Sequence, residues 1–346
     1  MLLDPPGRSP RPRDRYRRAK RRIVIGSLTG LGIAFGCVQC LPPAYLHHGT
    51  KSSLTGGNLP ASKPPQAAAA HPPSETLDTL RGVPAIDGRS YIRAPGARPM
   101  VFGHRGAPNL APENTLPSDE AARRSGADWI ENDVQPSVDG VPHIMHDSTV
   151  DRTTNGKGRL RDLTAAHLAT LDAGKWFKPS FAGTHVMTLH DQLADLRTHG
   201  GRLLLEIKTP HTREEISRIV QEVRLAGMSG RVFVQSFDPE SLRITRDLAP
   251  ELPLGLLRDR LDPDPVALAR ELRLASYNPS YQGLRQRPQL VAQLHAAGIA
   301  VLAWTPDDPK EWAALDNAGV DGIITNRTAD LVSWLTTHHG KGTGKP

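Results

Sequence analysis

Four short clusters of ionisable residues stand along this chain, each where an apolar run ends: His104-Arg105, Glu131-Asn132-Asp133, His146-Asp147 and Glu206-Ile207-Lys208. Together they hold what cleavage of a phosphodiester requires. The ester is anionic and gains charge in the transition state, so a divalent metal and fixed cations can offset it. A base must deprotonate the nucleophile and an acid must protonate the leaving alkoxide, and histidine suits both tasks near neutral pH. His104 and His146 are the candidates for that pair. Arg105 can bind phosphate through two parallel hydrogen bonds, and Lys208 can act as a point charge.

Glu131 and Asp133 lie two apart on an expected strand and therefore share one of its faces. If that face is the interior of a barrel, two carboxylates there demand a cation. Glu206 could complete an oxygen-rich site, of a kind that favours Mg²⁺ or Ca²⁺ over zinc. Each residue also has an ordinary reading. The carboxylates could sit on an exposed edge or pair with Arg105 and Lys208, and a lone histidine at a strand end is commonly structural. Glu113 is a candidate for orienting the site. Asn114 or Thr115 could simply cap the next helix. Gln235 marks another strand end, and Trp304 could wall a pocket or sit in the core.

The elements that must position these residues alternate from Pro99 onward. Strands are expected at 100–103, 129–134, 202–207, 232–235, 254–257, 275–278, 300–304 and 322–325, with a further extended run at 141–145. Helices are expected at 114–125, 189–198, 213–226, 239–248, 265–272, 287–297, 309–317 and 328–336. Residues 151–181 form an irregular excursion with a helical piece near 164–171. Runs such as Leu203-Leu204-Leu205 and Val232-Phe233-Val234 suit parallel strands buried on both faces. Roughly eight strand–helix units in about 240 residues fit one (β/α)8 TIM barrel. A doubly wound sheet competes, but no G-x-G-x-x-G follows the first strand, and the chemistry recurs after many strands rather than at one crevice.

The chain has 346 residues and a net charge of +7, yet the charge is local. Residues 1–51 hold ten of the 43 Lys and Arg and two of the 36 Asp and Glu. The body therefore has no basic excess, and no nucleic-acid partner is expected. Both cysteines, Cys37 and Cys40, are N-terminal, leaving no thiolate nucleophile or zinc–sulfur site in the body. A basic block from Arg8 to Arg22 precedes an uncharged run, Ile23 to Leu41. Residues 1–41 thus read as a signal peptide or membrane anchor that sends the body out of the cytoplasm. Lipidation at Cys37 and a twin-arginine signal at Arg21-Arg22 are weaker matches. Residues 42–97 read as a Pro/Ala/Ser-rich linker, with Leu77 to Ile92 expected to dock on the body, 98–337 as the catalytic domain and 338–346 as a flexible tail.

From Pro99 to Leu335 the chain resembles the glycerophosphodiester phosphodiesterase family. The resemblance rests on Gly103-His104-Arg105-Gly106, Ala111-Pro112-Glu113-Asn114-Thr115, Glu131-Asn132-Asp133-Val134, His146-Asp147, Asp151-Arg152-Thr153-Thr154-Asn155-Gly156, Glu206-Ile207-Lys208 and Asp321-Gly322-Ile323-Ile324-Thr325, in that order and spacing. It implies a TIM barrel with a small insertion after the second strand, and a divalent metal, Ca²⁺ or Mg²⁺, held by Glu131, Asp133 and Glu206. It assigns acid–base work to His104 and His146 and phosphate binding to Arg105 and Lys208. The implied reaction splits a glycerophosphodiester into glycerol 3-phosphate and an alcohol, with attack by the substrate's own glycerol hydroxyl as one route. Met187, His190 and Asn326 depart from the family's usual Pro, Glu and Asp, and are expected not to touch the metal carboxylates or the histidines.

Glycerophosphodiesters or lysolipids are accordingly the expected substrates, with a membrane partner if the N-terminal segment is retained. Other readings are a phospholipase D-like activity on lysophospholipids, cleavage of glycerophosphate wall polymers, or a tethered binding protein without catalysis.

Overall fold

The structure, a computed structural model, describes residues 88–208 and 210–340. The N-terminal signal or anchor, most of the expected linker and residues 341–346 lie outside them. In chain order the strands are β1 (Met100–His104), β2 (Trp129–Pro136), β3 (Pro142–Ile144), β4 (Leu203–Ile207), β5 (Val232–Ser236), β6 (Leu254–Arg258), β7 (Ser276–Pro279), β8 (Ala300–Trp304) and β9 (Gly322–Thr325). All but β3 pair in parallel, and β1 hydrogen-bonds both β9 and β2, closing an eight-stranded barrel. The (β/α)8 reading is correct. β3 lies outside the barrel, antiparallel to the overhanging end of β2.

The helices are α1 (Leu116–Arg124), α2 (Ala165–Leu168), α3 (Leu189–His199), α4 (Arg213–Leu225), α5 (Pro239–Leu248), α6 (Pro265–Glu271), α7 (Tyr281–Arg285), α8 (Leu290–Ala296), α9 (Pro309–Asn317) and α10 (Thr328–His339). Three of them, α5, α6 and α9, start with the same Asp-Pro pair. Asp238, Asp264 and Asp308 each accept backbone N–H bonds of the first turn. The proline that follows needs no such bond and is already set to a helical φ. Thr188 and Thr212 open α3 and α4 with reciprocal capping boxes to Asp191 and Glu215.

Two apolar layers hold the barrel. The larger lies between strands and helices, with Val101, Leu203, Val234 and Ile323 facing Leu193, Ile219, Leu242 and Leu331. The smaller fills the interior with Phe102, Trp129, Leu204, Phe233, Ala275, Leu302 and Ile324. Because side chains alternate along a strand, the residue two positions after each interior one also points inward. That rule carries Phe102 to His104, Trp129 to Glu131 and Asp133, Leu204 to Glu206, Phe233 to Gln235, and Leu302 to Trp304. The barrel is thus closed below by hydrophobes and lined above by chemistry. The excursion between β3 and α3 packs around its own cluster of Met145, Val150, Leu160, Leu168, Leu171, Ala173 and Val186.

The end of the expected linker, residues 88–97, packs on the body, and Tyr91 lies within the Leu77–Ile92 stretch expected to dock there. Tyr91 tilts against Phe233 at 4.9 Å and lies near Trp129 at 6.3 Å, and Arg93 pairs with Asp316 at 2.6 Å. At the other end α10 continues through His339, past the expected domain end at 337. His338 stacks on Trp334 at 4.0 Å and His339 bonds Asp316 at 2.8 Å. The expected helix at 287–297 is α8 alone, starting at Leu290, and α7 was not anticipated. Tyr91→Ala is expected to lower stability by about 2 kcal/mol, through lost aromatic packing, with kcat unchanged. Thermal unfolding beside a rate assay checks this, and an unshifted transition would contradict it.

Candidate active site

The strand register brings the separate clusters to two adjacent levels of the barrel mouth. His104 lies opposite Glu131, Asp133 opposite Glu206, and Glu206 opposite Gln235. Above them is a cavity of about 220 Å³ lined by His104, Arg105, Glu131, His146, Glu206, Lys208, Gln235, Phe237 and Trp304, among others. Asp133, opposite Glu206, is fully buried. Of the twelve residues singled out in the sequence, only Glu113, Asn114 and Asp147 stand further back, and each holds one that does not.

Asn114, in a left-handed conformation at φ 56°, donates from Nδ2 to Asp133 Oδ2 at 2.9 Å. Its Oδ1 accepts from Asn132 Nδ2 and Asp133 N. Thr115 is the residue that caps α1. Gln235 donates to Glu131 Oε1 at 3.2 Å and accepts from Asn278. Trp304 donates to the Asn278 carbonyl and meets Phe237 edge-on at 5.4 Å, so it is a fixed wall of the cavity.

Glu131, Asp133 and Glu206 each offer an oxygen, and these lie within 4.8 Å of one another. Burial, with the charges of Asp133 and Glu206, raises the Glu131 pKa well above the usual carboxylate range. Burial and Asp133 push Glu206 up to about 8. Burial also opposes ionisation of Asp133, but Lys208 and Arg105 outweigh it and its pKa falls. Lys208 Nζ stands 2.8 Å from Glu206 and 3.6 Å from Asp133. Even so, Asp133 Oδ1 is buried with no hydrogen-bond donor. A buried carboxylate oxygen without a donor, close to oxygens of two further buried carboxylates, suits a hard divalent cation, and the residues fit one.

The two histidines are oriented differently. Asn326 Nδ2 donates to Asp307 Oδ2 at 2.7 Å, which fixes the amide with Oδ1 towards His104 Nδ1, also at 2.7 Å. An amide oxygen only accepts, so His104 carries its proton on Nδ1 and leaves Nε2, 4.0 Å from Glu131, as a free base. Burial, helped by Arg105, pushes its pKa down to about 4. His146 bonds the Asp147 carboxylate through Nδ1 at 2.8 Å. Its pKa is also lowered, chiefly by burial. Asn326 therefore touches a candidate histidine, which corrects the expectation that it would not.

One residue the sequence reading left without a role ties the site together. Arg152, in the excursion, bonds both oxygens of Glu113 at 2.7–2.8 Å and both of Asp147 at 2.6–3.1 Å. Glu113 also accepts from Arg105 at 2.8 Å. One guanidinium thus holds the partners of Arg105 and His146 together. Its place in the Asp151-Arg152-Thr153-Thr154 motif was the available signal.

The model of the "Glycerophosphoryl diester phosphodiesterase family" matches residues 104–330, spanning every residue of this site. The chain belongs to the glycerophosphoryl diester phosphodiesterase family. It is an enzyme, a phosphoric diester hydrolase. A glycerophosphodiester phosphodiesterase of Caldanaerobacter subterraneus is 34% identical over 68% of this chain and 96% of its own length. One of Bacillus subtilis is 33% identical over 66% and 84%. A solved structure of the Agrobacterium tumefaciens glycerophosphodiester phosphodiesterase superposes with a TM-score of 0.61 at 30% identity, over 68% of this chain and 99% of that one. An Oleispira antarctica phosphodiesterase, solved with the product sn-glycerol-3-phosphate, gives 0.64 at 29% identity, over 69% and 97%.

As a phosphodiesterase of this family, the protein should lose turnover when Arg152 is truncated, although Arg152 lies outside the cavity. Arg152→Ala is expected to lower kcat about tenfold or more with little change in KM, as His146 loses its fixed partner. Arg152→Lys, which cannot bridge both carboxylates in the same way, should recover only part of the rate. Steady-state kinetics on a glycerophosphodiester checks both, and a wild-type kcat in Arg152→Ala would contradict the positioning role.

Proposed function

We propose that the protein hydrolyses glycerophosphodiesters to sn-glycerol 3-phosphate and an alcohol by His104/His146 acid–base catalysis at a divalent metal site. What carries this reading is the convergence of two free histidine Nε2 atoms, Arg105, Lys208 and three buried carboxylates on one cavity. Glu131, Asp133 and Glu206 would hold Ca²⁺ or Mg²⁺, which when bound supplies charge compensation for the phosphate and lets all three carboxylates ionise. The product named in the Oleispira antarctica complex is the one this reaction releases.

The electrostatics divide the labour. His104 is bonded to a neutral amide and held neutral by burial, so its Nε2 takes the proton of the attacking hydroxyl. His146 is bonded to a carboxylate, which works against the burial that lowers its pKa, so of the two it is the better supported as an acid, and its Nε2 gives a proton to the leaving alkoxide. With the glycerol hydroxyl as nucleophile, the new P–O bond closes a cyclic phosphate as the P–O bond to the alcohol breaks. Water then opens the ring with the proton roles exchanged. The nucleophile is already in place in such a substrate, which favours this route. Arg105 and Lys208 hold the phosphoryl oxygens throughout.

An extracytoplasmic address is part of the proposal and rests on the sequence of residues 1–41. Among the described residues no helix is long and apolar enough to cross a membrane. Fractionation of cells making the full chain tests the address, which a purely cytoplasmic enzyme would contradict.

His104→Ala and His146→Ala are each expected to fold and to lose about 10²–10⁴ in kcat. Chelation should abolish turnover of the wild type, and added Ca²⁺ or Mg²⁺ should restore it. A lowered pKa leaves a base neutral over a wider range, so with metal saturating, the acidic limb of kcat/KM should lie below pH 6.5, towards the value of about 4 for His104. Near wild-type rates in either alanine variant, or metal-independent turnover, would sink the mechanism.

A further inference from the structure

The catalytic cavity does not end at Trp304. Trp304 and the next residue, Thr305, line both that cavity and a second, wider one of about 920 Å³. The second opens between the loop after β6, Asp259–Pro263, and the segment Ser280–Arg287 that carries α7. A diester has two arms on its phosphorus. The inner cavity, about a quarter of the groove in volume, is ringed by the phosphate-binding and acid–base residues and suits the invariant glycerol phosphate arm. The groove is the roomier continuation for the arm that leaves. We infer that it is the leaving-alcohol subsite and that it takes a polyhydroxylated alcohol, such as glycerol, inositol or a sugar. This rests on the phosphodiesterase reading above.

The groove has a fixed base and an unengaged rim. Tyr277 Oη donates to Asp262 Oδ2 at 2.8 Å, and Arg258 Nε bonds both Asp262 oxygens at 3.0–3.2 Å. Arg287 donates to the Asp262 carbonyl at 3.0 Å, and Ser280 Oγ to the Asp259 carbonyl at 2.8 Å. These bonds tie the β6 loop to the strand and segment that follow. By contrast, the side chains of Asp259, Arg260, Gln282 and Gln286 line the groove, are exposed, and have no hydrogen-bond or ion-pair partner among the described residues.

The chemistry of that rim selects the class of alcohol. A carboxylate accepts, a guanidinium donates, and each amide does both, which matches hydroxyl groups that donate and accept in turn. Trp304, its indole N–H already used on Asn278, offers a ring edge or face to the carbon side of such a group. A long alkyl group would find only Leu261, Pro263, Tyr281 and Trp304 as apolar contacts, with four polar side chains to desolvate. A quaternary ammonium would meet Asp259 but also the guanidinium of Arg260 beside it.

The test compares sn-glycerol 3-phosphate diesters of methanol, choline, glycerol and inositol, assayed with the full chain and saturating metal. The methyl diester does not reach the groove and reports on the catalytic cavity alone. The wild type is expected to favour the glycerol and inositol diesters over the methyl diester by about tenfold in kcat/KM. The variant Asp259→Ala/Gln282→Ala should erase that preference, chiefly through KM, and leave the methyl diester unchanged. Equal loss on all diesters, no loss on any, or a wild-type preference for the methyl or choline diester would overturn the inference. A wild type that cleaves none of them, the methyl diester included, would instead overturn the phosphodiesterase reading beneath it.

Discussion

Three carboxylates with oxygens within 4.8 Å of one another, all buried, are the constraint on which this structure turns. Like charges that close cannot all ionise in a poorly solvated place without a cation. Lys208 and Arg105 keep Asp133 charged, but Glu131 and Glu206 are left with pKa values driven upward by burial and by their neighbours. The groups stand at the barrel mouth above a rigid aromatic floor, where Phe102, Trp129 and Phe233 pack with Tyr91. A site that is electrostatically unfavourable when empty of cations is also one primed to bind one together with an anionic ester.

The rest of the site serves those groups by fixing directions. Asn114 aims Asp133, Gln235 aims Glu131, Asn326 aims His104 and Asp147 aims His146. Neutral amides do this for three of the four, which orients the groups without adding charge to a crowded cavity. The exception is His146, whose carboxylate partner works against the burial that lowers its pKa. Arg152 then neutralises that carboxylate and Glu113 together, so the excursion after β3 is a brace for the site as well as a cap on the barrel.

Much of this was legible in the sequence because strand geometry is local. A residue that ends an apolar run, two positions after an inward-facing one, stands at the barrel mouth, as His104, Glu131, Glu206, Gln235 and Trp304 do. The parts that escaped depend on closure of the chain over long distances. Asn326 meets His104 across 222 residues because β9 pairs with β1. Arg152 reaches Glu113 across 39 residues because the excursion folds back. Docking of Leu77 to Ile92 was expected, but not that Tyr91 would carry it, since one aromatic among Pro, Gly and Arg carries no periodic signal. The short helix α7 interrupts a β7–α8 connection whose polar composition gave no helical pattern.

The central claim is that the buried carboxylates form a metal site that is partly protonated until a cation arrives. Calorimetric titration of the metal-free protein with Ca²⁺ or Mg²⁺ at pH 7, repeated in buffers of different ionisation enthalpy, tests it most directly. The account predicts one site per chain, with net proton release on binding, and loss of that binding in Glu131→Gln and Glu206→Gln. Absence of saturable binding, or binding that releases no protons and survives both substitutions, would contradict it.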